Sequence, residues 1–250
     1  MSALILSLIA GAVVGVALGA LGGGGSILAV PALIYLLGFS PASATTASLL
    51  IVTATSATAL YAHARAGNVR WKAGTLFAAA GVLPAAAAGA AAARLPQQAL
   101  TAAFAAVAAL AAVRMLRPGG TADQAEHAER PVKAAGAGAG LGALTGLLGV
   151  GGGFLAVPAL VTVLGLEMQA AVGTSLLVIS TNSLASLVTR GSATAGGLDW
   201  AVVGPFIATA ILGAWDGRRL AAKISGTALQ RTFAVVLLAL AALMLIDVLT

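Results

Sequence analysis

Gly22-Gly23-Gly24-Gly25-Ser26-Ile27-Leu28-Ala29-Val30-Pro31-Ala32-Leu33 decides the reading of this chain, because it returns as Gly149-Val150-Gly151-Gly152-Gly153-Phe154-Leu155-Ala156-Val157-Pro158-Ala159-Leu160. The same offset of 127 residues carries Leu37-Gly38 onto Leu164-Gly165 and Ser48-Leu49-Leu50 onto Ser175-Leu176-Leu177. An apolar chain that repeats itself, each copy broken at a glycine cluster, points to a transporter with its substrate site between the halves.

With 60% hydrophobic and 8% charged residues, 250 residues carry too little polar surface to clothe a soluble globule. Apolar runs of about 20 residues recur from end to end, the length a helix needs to cross about 30 Å of hydrocarbon. The strands of a membrane barrel would alternate apolar and polar residues, and no such alternation is present. The net charge of +6 does not mark a nucleic-acid partner, since Lys and Arg sit in short segments beside apolar runs, where they orient a membrane protein. The absence of Cys excludes disulfides, thiolate metal sites and thiol catalysis. Met1 to Leu21 lacks a basic start and a cleavage-site pattern, so it is expected to be retained.

The expected fold is an all-α polytopic membrane protein of two inverted repeats, each a broken helix hairpin followed by three transmembrane helices. The broken pairs are Ala3 to Leu21 with Ser26 to Leu37, and Ala134 to Leu148 with Phe154 to Leu164. Full spans are expected at Ala42 to His63, Lys72 to Ala93 and Gln97 to Leu116, with counterparts at Gln169 to Arg190, Trp200 to Asp216 and Ala228 to Leu249. The repeats thus occupy residues 1–116 and 134–250. Residues 117–133, polar and bounded by Pro118 and Pro131, form a linker.

The charges suggest how the repeats are oriented. In the first half the loop after the first full span holds Arg65, Arg70 and Lys72, and the next holds Arg94 alone. The second half reverses this, with Arg190 alone in the first loop and Arg218, Arg219, Lys223 and Arg231 in or beside the next. If both basic loops and the linker are cytoplasmic, each broken pair is a hairpin, each half crosses an odd number of times, and both termini lie outside. The competing arrangement is two parallel copies in which each broken pair is one kinked helix.

Glycine clusters favour sharp turns, and irregular backbone at membrane depth must be sheltered by protein or line a cavity. The limb after each break is too short to cross the bilayer, so its unpaired N–H groups and positive dipole end fall inside it. Two such ends offer an anion site without a buried cation. The candidate ligands are the backbone N–H groups of Gly24, Gly25, Ser26, Gly152, Gly153 and Phe154, with the hydroxyls of Ser48 and Ser175 completing the cage. Thr46, Thr53, Thr174, Ser180 and Thr181 enlarge this polar surface, although membrane Ser and Thr commonly bond their own helix carbonyls. Asn182, seven residues after Ser175, is either a substrate contact or a bond between helices. Glycines that merely permit tight helix packing are the plainer alternative. His63, Arg190, Trp71 and Trp200 read as interfacial anchors, and Pro31 and Pro158 as determinants of shape.

These residues resemble the sulfite exporter TauE/SafE family, also called the four-toluene-sulfonate uptake family. The likeness rests on the twice-used Gly-Gly-Gly, small stretch, Val-Pro-Ala-Leu, continued by Ala171-Val172-Gly173-Thr174-Ser175-Leu176 and Gly197-Leu198-Asp199-Trp200. In the first half Thr45-Thr46-Ala47-Ser48 stands where the second has Val172-Gly173-Thr174-Ser175. The resemblance implies a multi-pass carrier of the bacterial inner membrane that moves sulfur oxyanions or organosulfonates such as sulfite or sulfoacetate, frequently outward.

The expected function is therefore export of such an anion by alternating access. An interior negative by 100 mV favours outward movement of one negative charge by about 2.3 kcal/mol, so export needs no coupling ion. A channel-like anion pore and a sulfonate or thiosulfate importer are the alternatives. An enzyme is not expected, with no Cys, only His63 and His127, and no Gly-x-Ser-x-Gly or His-Glu-x-x-His pattern. The expected partners are a small anion and the lipid bilayer, with no nucleic acid, no cofactor and no metal; a homo-oligomer is left open.

Overall fold

Long runs of Ala, Leu, Val and Gly leave the backbone to satisfy its own hydrogen bonds, which in lipid only helices can do within one segment. The computed structural model describes residues 2–92, 97–116, 131–148, 153–190 and 198–249. Its described residues are helical, joined by short turns, with no strand among them. The first half contains α1 (Ser2–Leu21), α2 (Gly24–Pro31) continued by a π-helical turn (Ala32–Leu36), α3 (Pro41–Arg65), α4 (Trp71–Ala92) and α5 (Gln97–Leu116). The second contains α6 (Pro131–Leu148), α7 (Gly153–Thr162), α8 (Met168–Arg190), α9 (Trp200–Lys223) and α10 (Gly226–Leu249).

Helix ends follow local chemistry. Pro41 opens α3 where a missing N–H is harmless, and the Ser40 hydroxyl accepts from the Ser43 N–H at 3.3 Å. Asp199 caps α9 by accepting from the Ala201 N–H at 3.0 Å. Pro31 removes a donor at the end of α2, and the π turn follows directly. One expected boundary is corrected: α9 does not stop at Asp216 but runs to Lys223, so Arg218, Arg219 and Lys223 belong to its last two turns. Most of the expected linker lies outside the described residues, and α6 already begins at Pro131.

Among the described residues, five helical stretches are long and apolar enough to cross a membrane: Ala3–Leu21, Ser43–Arg65, Met168–Leu187, Trp200–Lys223 and Gly226–Leu243. Their outer faces carry exposed Ile9, Val13, Leu212, Val235 and Leu243, as a lipid solvent permits. Trp71 and Trp200 are both half exposed and stand at the first residue of α4 and α9.

The halves interlock. α1 packs on α9 and its counterpart α6 packs on α4; likewise α3 packs on α9 and α8 on α4, α2 on α3 and α7 on α8. Glycines make the first two seams. A Cβ on Gly11 would lie 2.5 Å from the Phe206 carbonyl oxygen, and Gly15 and Gly19 abut Ala210 and Ala214 just as closely. On the other side Gly138 and Gly142 abut Phe77 and Gly81. Such close approach lets dispersion and backbone contacts hold helices together where the hydrophobic effect gives nothing. Within each seam residue numbers rise together, so α1 runs parallel to α9 and α6 parallel to α4.

The remaining pair lies at the centre. On α3 and α8, Gly173 lies against the His63 Cβ, and the Ser56 and Ser180 hydroxyl oxygens are hydrogen-bonded to each other at 2.9 Å. Numbers rise on one helix as they fall on the other, so α3 and α8, equivalent by the repeat, run antiparallel.

Candidate functional site

The first break forms as the glycine cluster suggests. Gly22 takes φ +65°, a left-handed conformation that L side chains rarely adopt, and α2 starts two residues later. A Cβ on Gly22 would stand 2.5 Å from the Ser175 Oγ and 3.2 Å from the Val172 carbonyl. A glycine of one half therefore rests directly on a hydroxyl of the other. Gly24, Gly25 and Ser26 form the first turn of α2, where backbone N–H groups have no partner within the helix.

The chain then doubles back. His63, near the last residue of α3, bonds the Gly19 carbonyl through Nε2 at 3.3 Å, so the end of α1 lies beside the end of α3. The start of α3 at Pro41 is about 35 Å away at about 1.5 Å per residue. α2 and the π turn return the chain over about 20 Å of that distance and the non-helical residues 37–40 over much of the rest, which makes α1 and α2 a hairpin.

The second break lies outside the described residues at Gly152. Gly153 and Phe154 open α7, which packs against α2. The two short limbs thus meet.

The register of the central pair sets the two serines of the expected cage apart. Ser175 lies five residues before Ser180, and Ser48 eight residues before Ser56. Because α3 and α8 are antiparallel, these displacements point in opposite directions and separate the two serines by about 20 Å along the bundle. One small anion cannot touch both. Ser48 and Ser175 also donate to their own helices, at the Thr45 and Val172 carbonyls, both 2.8 Å away. Thr55, Thr58, Ser180 and Thr181 do the same four residues back. Their oxygens keep lone pairs but have spent their proton.

Other candidates are distributed along this axis. Thr174 is fully buried and accepts the Arg70 N–H at 3.0 Å, so it pins the α3–α4 turn to α8. Thr46 is buried in α3 two residues before Ser48. Asn182 is half-buried two residues beyond Ser180, near mid-height. Thr53, one turn from Ser56, has a buried hydroxyl with no hydrogen-bond partner among the described residues.

Two groups at the first break escaped sequence reasoning. His63, expected at an interface, is 3% exposed and enclosed by Gly19, Gly173 and α3 itself. Arg218, expected in a loop, follows Gly217, on which a Cβ would abut the Val16 carbonyl and stand 3.0 Å from the Ala20 nitrogen, so the arginine is level with the break. Its Nε is buried with no hydrogen-bond partner among the described residues. The available signal was the glycines opposite, which leave room for a polar ring. No group of three or more His, Cys, Asp and Glu that could hold a metal occurs among the described residues.

Interlocked spans, a sheltered glycine break and polar groups at depth define a polytopic α-helical membrane transporter. A family model described as "Sulfite exporter TauE/SafE" matches residues 7–244, and the chain belongs to that family of membrane transporters. It is 34% identical over 245 residues to a "Probable membrane transporter protein" of Xylella fastidiosa strain 9a5c, covering 95% of this chain and 93% of the relative. A protein of the same description from strain Temecula1 / ATCC 700964 is similar to the same extent. No solved structure matches the chain.

Proposed function

We propose that the protein exports a sulfur oxyanion or organosulfonate across the bacterial inner membrane by alternating access of two inverted repeats, residues 1–116 and 134–250 joined by a cytoplasmic linker at 117–133. The observation that carries this reading is the antiparallel pairing of α3 and α8, with the Gly22 break of one half seated on Ser175 of the other. Equivalent helices related by an axis along the membrane normal would run parallel. The arrangement therefore favours an axis in the membrane plane, which places the α3–α4 and α9–α10 turns on one face and both termini on the other.

The anion is bound in turn at two subsites. The cytoplasmic one comprises the N–H groups of Gly24, Gly25 and Ser26 with Ser175; the outer one comprises those of Gly152, Gly153 and Phe154 with Ser48. Between them the belt of Thr53, Ser56, Ser180 and Asn182 gives the anion polar company across mid-membrane. Proteoliposomes test the reading: sulfite or sulfoacetate should enter or leave them saturably, and faster than empty vesicles, with counterflow when unlabelled anion is placed on the opposite side. Flux equal to that of empty vesicles for both anions overturns it, and unsaturable flux without counterflow identifies a pore.

A further inference from the structure

Beside the first break the protein holds a buried acceptor and a buried donor, both unmatched. The Gly19 carbonyl can only accept, so the His63 Nε2 bonded to it carries the hydrogen. The Nδ1 of the neutral ring is then a lone pair, buried and without a hydrogen-bond partner among the described residues. The Arg218 Nε–H is likewise buried and has no hydrogen-bond partner among the described residues. The residue before it, Gly217, packs beside Ala20, next in sequence to the Gly19 that holds His63, which places the two groups in one neighbourhood. Asp216, the nearest carboxylate in sequence, is exposed and turned to Arg219 at 3.6 Å. Buried groups left in this condition cost about 1–3 kcal/mol each, and a matching ligand recovers that energy.

We infer that His63 and Arg218 together recognise an oxyanion carrying one proton, its O–H donating to His63 Nδ1 and its charged oxygen accepting from Arg218 Nε. This rests on the proposed anion export and names the form of substrate that the cytoplasmic subsite takes. A doubly charged oxyanion has no hydrogen for Nδ1, and a sulfonate has a single charge but no O–H. The pair thus discriminates among anions of one size by where their proton is, as a polar pocket rejects a ligand that leaves one of its groups unpaired. The site is one-sided: the position equivalent to His63 is Arg190, and that equivalent to Arg218, once Trp200 is aligned with Trp71, is Gly89.

The test compares labelled sulfite with methanesulfonate in proteoliposomes at one mildly acidic pH, where sulfite bears a single proton. His63→Gln retains an N–H for Gly19 but moves its acceptor, now the amide oxygen, away from the position of Nδ1. It should lower sulfite flux about tenfold, the worth of one hydrogen bond of ordinary strength, and leave methanesulfonate flux within about twofold. Arg218→Gln should lower both fluxes, and Arg218→Lys should restore part of each. Equal loss of both anions in His63→Gln, or no loss in either variant, overturns the inference while wild-type transport stands. Absence of flux of both anions through the wild-type protein overturns the transport reading and this inference with it.

Discussion

Replacing Gly22 by alanine tests the contact on which the first break depends. At φ +65° a Cβ costs about 1–2 kcal/mol on conformational grounds alone. Placed 2.5 Å from the Ser175 Oγ, 3.2 Å from the Val172 oxygen and 3.3 Å from its Cα, it adds overpacking of about 1–3 kcal/mol. The sum is about 2–5 kcal/mol. Gly38→Ala and Gly67→Ala provide the control, because both glycines have positive φ, +71° and +74°, and neither has a heavy atom within 4 Å of the added carbon. They should lose only the conformational part. Heating the purified protein in detergent and following its monodisperse fraction ranks the variants, with Gly22→Ala well below both controls. Adding Ser175→Ala removes the nearest obstacle and should return about 1 kcal/mol, a coupling expected only of touching residues. Equal loss in all three alanine variants, or no recovery in the double variant, refutes the seating of the break on α8.

Four further outcomes follow from the geometry. The chain has no cysteine, so a Ser56→Cys, Ser180→Cys variant should form a single intramolecular disulfide under mild oxidation, visible as a mobility shift that reductant reverses. With the repeats inverted, membrane-impermeant thiol reagents should reach Ala66→Cys and Ser225→Cys from the cytoplasmic side and Asp199→Cys from the other. Thr174→Val leaves the Arg70 N–H without its acceptor and should destabilise the protein by about 1–3 kcal/mol in the same thermal assay. Gly15→Leu and Gly142→Leu should abolish the folded fraction by driving side chains into Ala210 and Gly81, whereas Gly140→Leu, with nothing within 4 Å of its Cβ, should be tolerated.

Much of the architecture was legible because the repeat does two jobs. The offset that aligns Pro31 with Pro158 also pairs α1 with α6 and α3 with α8, and the interlocked packing follows that correspondence. Helix ends near Leu21, Leu116 and Arg190 followed from composition. The end of α9 did not, since Gly217-Arg218-Arg219 reads as a loop when charge marks the water boundary, yet long basic side chains can extend from a helix that keeps its apolar side buried. The polar candidates were legible as residue types and not as partners. Ser48 and Ser175 share a motif, but only the antiparallel register of their helices sets them on opposite sides of the centre. His63 was misplaced for a similar reason: proximity to a span end suggests exposure, whereas Gly19 and Gly173 on two neighbouring helices close over it.

The seam between α1 and α9 has a consequence for synthesis. The Ser7 hydroxyl donates to the Val202 carbonyl at 2.6 Å across 195 residues of sequence, and Gly11, Gly15 and Gly19 await partners from the same late stretch. At about 5–20 residues per second the ribosome needs roughly 10–40 s to deliver them. During that interval the nascent N-terminal helix rests in the bilayer with its glycine stripe uncovered. Chains that stop before residue 200 would leave the stripe permanently bare, open to non-native neighbours and to quality-control proteases.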